Sequence, residues 1–154
     1  MGIAITLQEY LEEQGVPYDE VVHNRTGCSS RTAEASHVPG ECLAKGVVIR
    51  RKDGFLLAIV PASRQVRLDE LGRWLDQAVG LATEDEVCTL FDDCAPGAVP
   101  PIGPAYGLKS VVDDSLEGRR DIFFEGGDHQ TLVHVTGAEF HRLMQNVPHG
   151  SFCA

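Results

Sequence analysis

Apolar positions along this chain recur with two periods. Between Thr6 and Gln14, Leu7, Tyr10 and Leu11 share one helical face, which predicts an amphipathic helix. Thr6 and Glu9 form a T-x-x-E capping box at its start, and Gly15 suits its C-terminal end. The same box recurs at Thr83/Glu86 and Thr136/Glu139 and predicts two further helix starts. The last of these helices carries Phe140, Leu143 and Met144 at core spacing. Asp69 is expected to cap a helix through Leu71, Trp74 and Leu75 to Val79, and Ser30 to His37 reads as a short helix stopped near Pro39-Gly40. The β-rich runs are Tyr18 to His23, Leu43 to Arg51, Phe55 to Val60, Ser110 to Asp113, Asp121 to Glu125 and Thr131 to Val135. Lys52-Asp53-Gly54 between the second and third is a hairpin signal. Strands outnumber helices and consecutive strands are joined by turns. That pattern predicts an α+β domain with a mixed, largely antiparallel sheet.

Composition adds limits. The chain has 154 residues, is 43% hydrophobic and 23% charged, and carries a formal net charge of −10. A single domain over 1–154 is expected, large enough to bury roughly two-thirds of its unfolded surface. The apolar runs fall far short of the roughly 20 residues that span a bilayer. The N-terminal residues lack a basic start, an apolar stretch and a cleavage site, so a cytoplasmic protein is expected. No coiled-coil pattern calls for an oligomer, and a monomer is expected. The five cysteines include no C-x-x-C, and the histidines do not fall at ligand spacing with them, so free thiols and no metal site are expected.

Net acidity argues against binding nucleic acid through a generalised basic surface. The charge is uneven, however. Residues 1–22 carry −5, residues 23–75 carry +4 and residues 76–154 carry −9. The central basic segment includes Lys45, Arg50, Arg51 and Lys52.

Signatures of covalent catalysis and of phosphate or dinucleotide loops are absent: there is no G-x-S-x-G, no G-x-x-x-x-G-K-[ST], no H-E-x-x-H and no G-x-G-x-x-G. The least ordinary stretch is Cys94 to Gly107, with four prolines and three glycines among its 14 residues. Prolines fix φ and remove a backbone donor, while glycines permit close approach. Such a loop either holds a carbonyl or oxyanion with its few N–H groups, or is a rigid surface connection. Lys45 shares a strand face with Leu43, Val47 and Ile49. It either snorkels near a strand end or forms the floor of an anion pocket. His129, after Gly126-Gly127-Asp128, is a solvated turn histidine or a functional one. Cys94 has no activating base nearby in sequence. The runs Glu84-Asp85-Glu86, Asp92-Asp93 and Asp113-Asp114 read as solvated surface.

Taken together, five segments carry a resemblance. They are Val21-Val22-His23, the lysine strand Ala44-Lys45-Gly46-Val47-Val48, the G-x-x-x-P-x-G loop from Gly97 through Pro100 and Pro101 to Gly103, Val111 to Leu116 with its D-x-S-L core, and Phe124-Glu125-Gly126-Gly127. In that order and spacing the chain resembles, over nearly its whole length, the YbaK/ProRS-associated domain family. These are free-standing relatives of the editing domain of bacterial prolyl-tRNA synthetase.

The resemblance implies an α+β fold whose mixed sheet is either open or a partly closed barrel flanked by helices. It implies trans-editing, the hydrolysis of the ester of a mischarged tRNA, with a small amino acid such as alanine or cysteine on a proline tRNA. A pocket rejects a smaller amino acid poorly, so a second site removes the errors. By resemblance Lys45 contacts the 3′-terminal nucleotide or its phosphate, and the Gly97–Gly103 loop with Pro100 and Pro101 holds the aminoacyl group. Gly127 and His129 stand at the pocket edge. No cofactor is implied. The implied partners are the charged tRNA 3′ end and, transiently, prolyl-tRNA synthetase or an elongation factor. Gly46 stands where relatives often have threonine or asparagine, and Asn146 to Ala154 lies outside the shared pattern. The alternative is a module of the same fold that binds a charged tRNA end or an amino acid without catalysis.

Overall fold

The longest strand, β2 (Leu43–Arg51), organises the sheet. Antiparallel to it along its full length runs β3 (Gly54–Pro61), from Ala44 opposite Pro61 to Arg51 opposite Gly54. Lys52 and Asp53 make the predicted hairpin turn. In the computed structural model, which describes residues 2–23 and 38–154, the sheet has eight strands. The others are β1 (Asp19–Val22), β4 (Gly80–Leu81), β5 (Ser110–Asp113), β6 (Asp121–Glu125), β7 (Thr131–Thr136) and β8 (His149–Gly150). The order is β1-β7-β6-β2-β3-β5-β8, with β4 on β2. The pairs β1–β7, β7–β6, β2–β3 and β2–β4 are antiparallel; β6–β2, β3–β5 and β5–β8 are parallel. The sheet is mixed, its long ladders are antiparallel, and it is open rather than closed.

On the edge of β2 away from β3, β6 pairs only with Leu43 and Ala44, and β4 pairs only with Ile49 and Arg50. Among the described residues the sheet is split between them, and the two pairings leave a gap along that edge that spans residues 45–48.

Both faces of the central strands are covered, which is why Phe55 to Val60 reads as an unbroken apolar run. Helices α1 (Ile5–Glu13) and α4 (Gly137–Leu143) bury Leu7, Leu11, Phe140 and Leu143 with Ala44, Val48, Leu57 and Ile59 on one face. On the other, α2 (Leu68–Leu75) brings Leu71 to Ile49, Leu56, Ala58, Val60 and Phe152. Helix α3 (Glu84–Leu90) is held at its start by the complete Thr83/Glu86 capping box.

Several local expectations are corrected. Thr6 does not cap α1: the helix starts one residue earlier, and the Thr6 N–H donates to Asp93 Oδ2 at 3.0 Å, tying the helix to the loop region. Asp69 lies inside the first turn of α2, where its charge suits the helix N-terminus, and Arg67 is the N-cap. That helix stops at Leu75 because Asp76 turns left-handed, φ 56°. Thr136 caps α4, but Glu139 turns to Arg142 instead of completing its box. The expected helix from Ser30 to His37 lies outside the described residues. The two-residue strands β4 and β8 carry too little periodicity to be read in advance. The C-terminal segment is part of the fold: β8 pairs with β5, and Phe152 is fully buried.

Candidate functional site

The split in the sheet opens a cleft of about 340 Å³. Its floor is Lys45 to Val48 of β2, one wall is Leu81, Ala82, Glu84, Val87 and Cys88, and its lip is Pro96, Gly97 and Val99. The sequence identified the lysine and the lip but not the wall formed by β4 and α3. No local signal marks that wall: the capping box makes α3 legible as a helix, but which part of β2 it faces depends on the long-range β4 pairing.

The loop divides into two parts. Pro96 and Gly97 are exposed, while Ala98 and Pro100 to Gly103 are buried. Gly97 has φ 81°, a left-handed conformation that a side chain would strain. The four prolines of the loop bring no N–H, and the Ala98 N–H donates to the Ala95 carbonyl. Among the described residues the N–H groups of Gly97 and Val99 donate to no other backbone group. Both residues line the cleft with Lys45. Lys45 is half-buried. The arrangement is a cation and two backbone donors around one cleft, suited to an anion or to a carbonyl gaining negative charge.

The other anticipated site residues stand behind the lip and do not line the cleft. Pro100 and Pro101 are buried in the trunk of the loop. A Cβ on Gly103 would lie 1.8 Å from Ser110 Oγ, so glycine there admits β5 against the loop. The Gly127 carbonyl accepts from Ala95 N–H at 2.7 Å, at the start of the loop. His129 is 5% exposed, with a left-handed backbone, and its Nε2–H donates to the Pro96 carbonyl. A carbonyl only accepts, so Nε2 carries a proton. His129 therefore reaches the cleft through Pro96 and not by its own side chain. Asp128 fixes its turn by accepting from the N–H groups of Gln130 and Thr131. Burial opposes its ionisation, but these donors hold the Asp128 carboxyl below its ordinary range.

The setting of Cys94 disfavours its thiolate. Burial, with Asp93 beside it, pushes its thiol up to about 12 despite the hydrogen bond with Tyr106. Cys42, Cys88, Cys94 and Cys153 are all free thiols. The D-x-S-L segment is structural: Asp113 is 3% exposed and accepts from the N–H groups of Ser115 and Phe152. The basic segment does not act as one patch, since of Lys45, Arg50, Arg51 and Lys52 only Lys45 lines the cleft. Arg50 faces Glu86, Arg64 faces Glu41, and Arg73 faces Asp69. Among the described residues one histidine–carboxylate group, Asp114, Glu117 and His149, has ligand atoms within 4.8 Å. It is exposed, and none of its members lines the cleft.

Comparison with known proteins places this arrangement. A sequence model of the aminoacyl-tRNA editing domain matches residues 23–143, which contain the lysine strand, the loop and the glycine turn. The chain belongs to the aminoacyl-tRNA editing domain family. This editing domain is 30% identical over 92 residues to the proline–tRNA ligase of Fervidobacterium nodosum, a match covering 58% of this chain and 15% of that enzyme. It is also 30% identical over 98 residues to the proline–tRNA ligase of Thermosipho africanus, covering 63% and 17%. The chain thus spans less than a fifth of the ligases it matches. Its fold is that of a solved protein described as a proposed trans-editing enzyme for prolyl tRNA synthetase. The two are 24% identical with a TM-score of 0.81, over 97% of this chain and 95% of that one. A solved hypothetical protein superposes with a TM-score of 0.83 at 18% identity, over 97% and 99%. No helix among the described residues is long and apolar enough to cross a membrane.

Proposed function

We propose that this editing domain hydrolyses the ester of a mischarged aminoacyl-tRNA, acting in trans to remove a small amino acid such as alanine or cysteine from a proline tRNA. One observation carries the reading: Lys45 lines a single cleft of amino-acid size together with Gly97 and Val99, whose N–H groups donate to no other backbone group among the described residues. The donors and the ammonium would meet the terminal nucleotide and the ester carbonyl. Water adds to the carbonyl carbon, and its oxygen becomes the oxyanion that the donors stabilise. The bond to the ribose oxygen then breaks, and that oxygen takes the proton the water releases. The ester is labile, so positioning and charge stabilisation suffice and no covalent intermediate is needed. The ribose hydroxyl beside the ester is the group that activates the water. Leu81, 58% exposed at the rim, offers an apolar contact for a base or ribose. Pro100, Pro101, Gly103, Gly127 and His129 act one step back, as the support that aims the lip. In this reading residues 1–154 work as one cytoplasmic domain. Transient contact with prolyl-tRNA synthetase or an elongation factor would deliver the substrate.

The test is a panel of alanyl-, cysteinyl-, seryl- and threonyl-tRNA incubated with the purified protein while ester loss is followed. Hydrolysis of one or more is expected, with alanyl- or cysteinyl-tRNA fastest. Ester loss from none of them overturns the reading. Saturable binding without ester loss would mark a module that recognises the charged end only.

A further inference from the structure

Arg51 is the anomaly outside the cleft. Its Nε is buried and has no hydrogen-bond partner among the described residues. An unpaired buried donor is costly, more so on a cation, and calls for an acceptor. Arg51 closes β2 at the end opposite Lys45, roughly 20 Å away along an extended strand. There it lines a second cleft, of about 490 Å³, at the hairpin end of the sheet.

That cleft collects charge of one sign. Arg51, Lys109 and Arg142 line it, and no aspartate or glutamate does among the described residues. This is unusual in a chain of net charge −10. Arg142 is fixed from outside: Nε and Nη2 donate to Glu139 Oε2 at 3.1 and 2.8 Å, and Nη2 also to the Gly15 carbonyl at 3.2 Å. Glu139 so neutralises part of one cation, and leaves Arg51 and Lys109 as the cations facing the cleft. The Tyr10 ring and the side-chain amides of Gln145 and Asn146 share the lining with aliphatic walls. Cations for a phosphate, amides for base edges and a ring for stacking form one set of complementary groups. The volume suits a mononucleotide.

We propose that this second cleft binds a nucleoside phosphate, with Arg51 and Lys109 on the phosphate oxygens. The ligand is either a free mononucleotide or the 5′-phosphorylated end of an RNA strand. The proposal does not depend on the deacylase reading, because no residue of the Lys45 cleft is involved.

The experiment is calorimetric titration of the full chain with AMP, with adenosine, and with a short single-stranded RNA bearing or lacking a 5′-phosphate. Binding of AMP, of the phosphorylated RNA, or of both is expected, and the responding ligand identifies the source. Arg51→Gln and Lys109→Gln should each weaken that binding about tenfold or more. Lys109 is exposed, so its variant keeps the test valid if Arg51→Gln fails to fold. Arg73→Gln, at an exposed cation that lines neither of the two clefts, should bind as the unaltered chain does. The proposal is overturned if neither phosphate ligand binds, if adenosine binds as tightly as AMP, if the two charge variants bind normally, or if Arg73→Gln abolishes binding.

Discussion

Two motif segments, the Pro96–Gly103 loop and the Asp113–Leu116 turn, look equally distinctive along the chain but sit in opposite circumstances. In the turn, the polar groups of Asp113 are engaged: it accepts from Ser115 and from the Phe152 N–H, so it locks the C-terminal segment onto β5. In the loop, the buried trunk holds an exposed lip whose Gly97 and Val99 N–H groups have no backbone acceptor among the described residues. A segment whose donors are satisfied internally is scaffold. A rigid segment that lines a cleft and leaves donors without a backbone acceptor has capacity for a ligand.

Four changes would break or sharpen that contrast. Phe152→Ala, on the scaffold side, removes a fully buried ring beside Leu71 and Trp74. It should lower stability by about 4 kcal/mol in denaturant unfolding, with ester hydrolysis per folded molecule unchanged. Lys45→Ala, on the cleft side, should do the reverse: kcat/KM on the mischarged tRNA falls about 100-fold, while the unfolding midpoint barely moves. An active Lys45→Ala protein would refute the role given to this cation.

The third is pH. Burial opposes ionisation of Asp113, but the Phe152 and Ser115 donors outweigh it and hold its carboxyl below the ordinary range. Its contribution is therefore complete above the ordinary carboxylate pKa and is lost as pH falls through the lower folded value. Unfolding measured from about pH 6 down to about pH 2 should show this loss, and Asp113→Asn should flatten the slope. An unaltered slope would remove Asp113 from the anchoring role. The smallest effect is expected at Gly46. A Cβ there would lie 2.9 Å from Leu57 Cδ1, which can move, and 3.3 Å from the Pro101 Cα, which cannot move easily. Gly46→Ala should cost about 1 kcal/mol and reduce hydrolysis a few-fold by displacing the lip. Equal activity would show that the lip does not depend on the trunk's seat on β2.

The sequence by itself determined the elements whose signals are local. The Lys52-Asp53 hairpin, the Thr83/Glu86 box and the runs that became β5, β6 and β7 rest on period and turn chemistry within a few residues. It also located Lys45 and the proline–glycine loop, since a cation in an apolar run and a dense Pro/Gly stretch are visible without a fold. What only the tertiary structure decided is which of those residues face one another. The split that places residues 45–48 on the floor of the cleft arises because, among the described residues, β6 leaves β2 after Ala44 and β4 joins only at Ile49. No local pattern encodes where two distant strands stop pairing. The same holds for Thr6, whose N–H is claimed by Asp93 across the fold rather than by its own box, and for Phe152, which is anchored by Asp113. Long-range pairing overrides local propensity wherever a distant partner supplies the stronger hydrogen bond or the larger buried area.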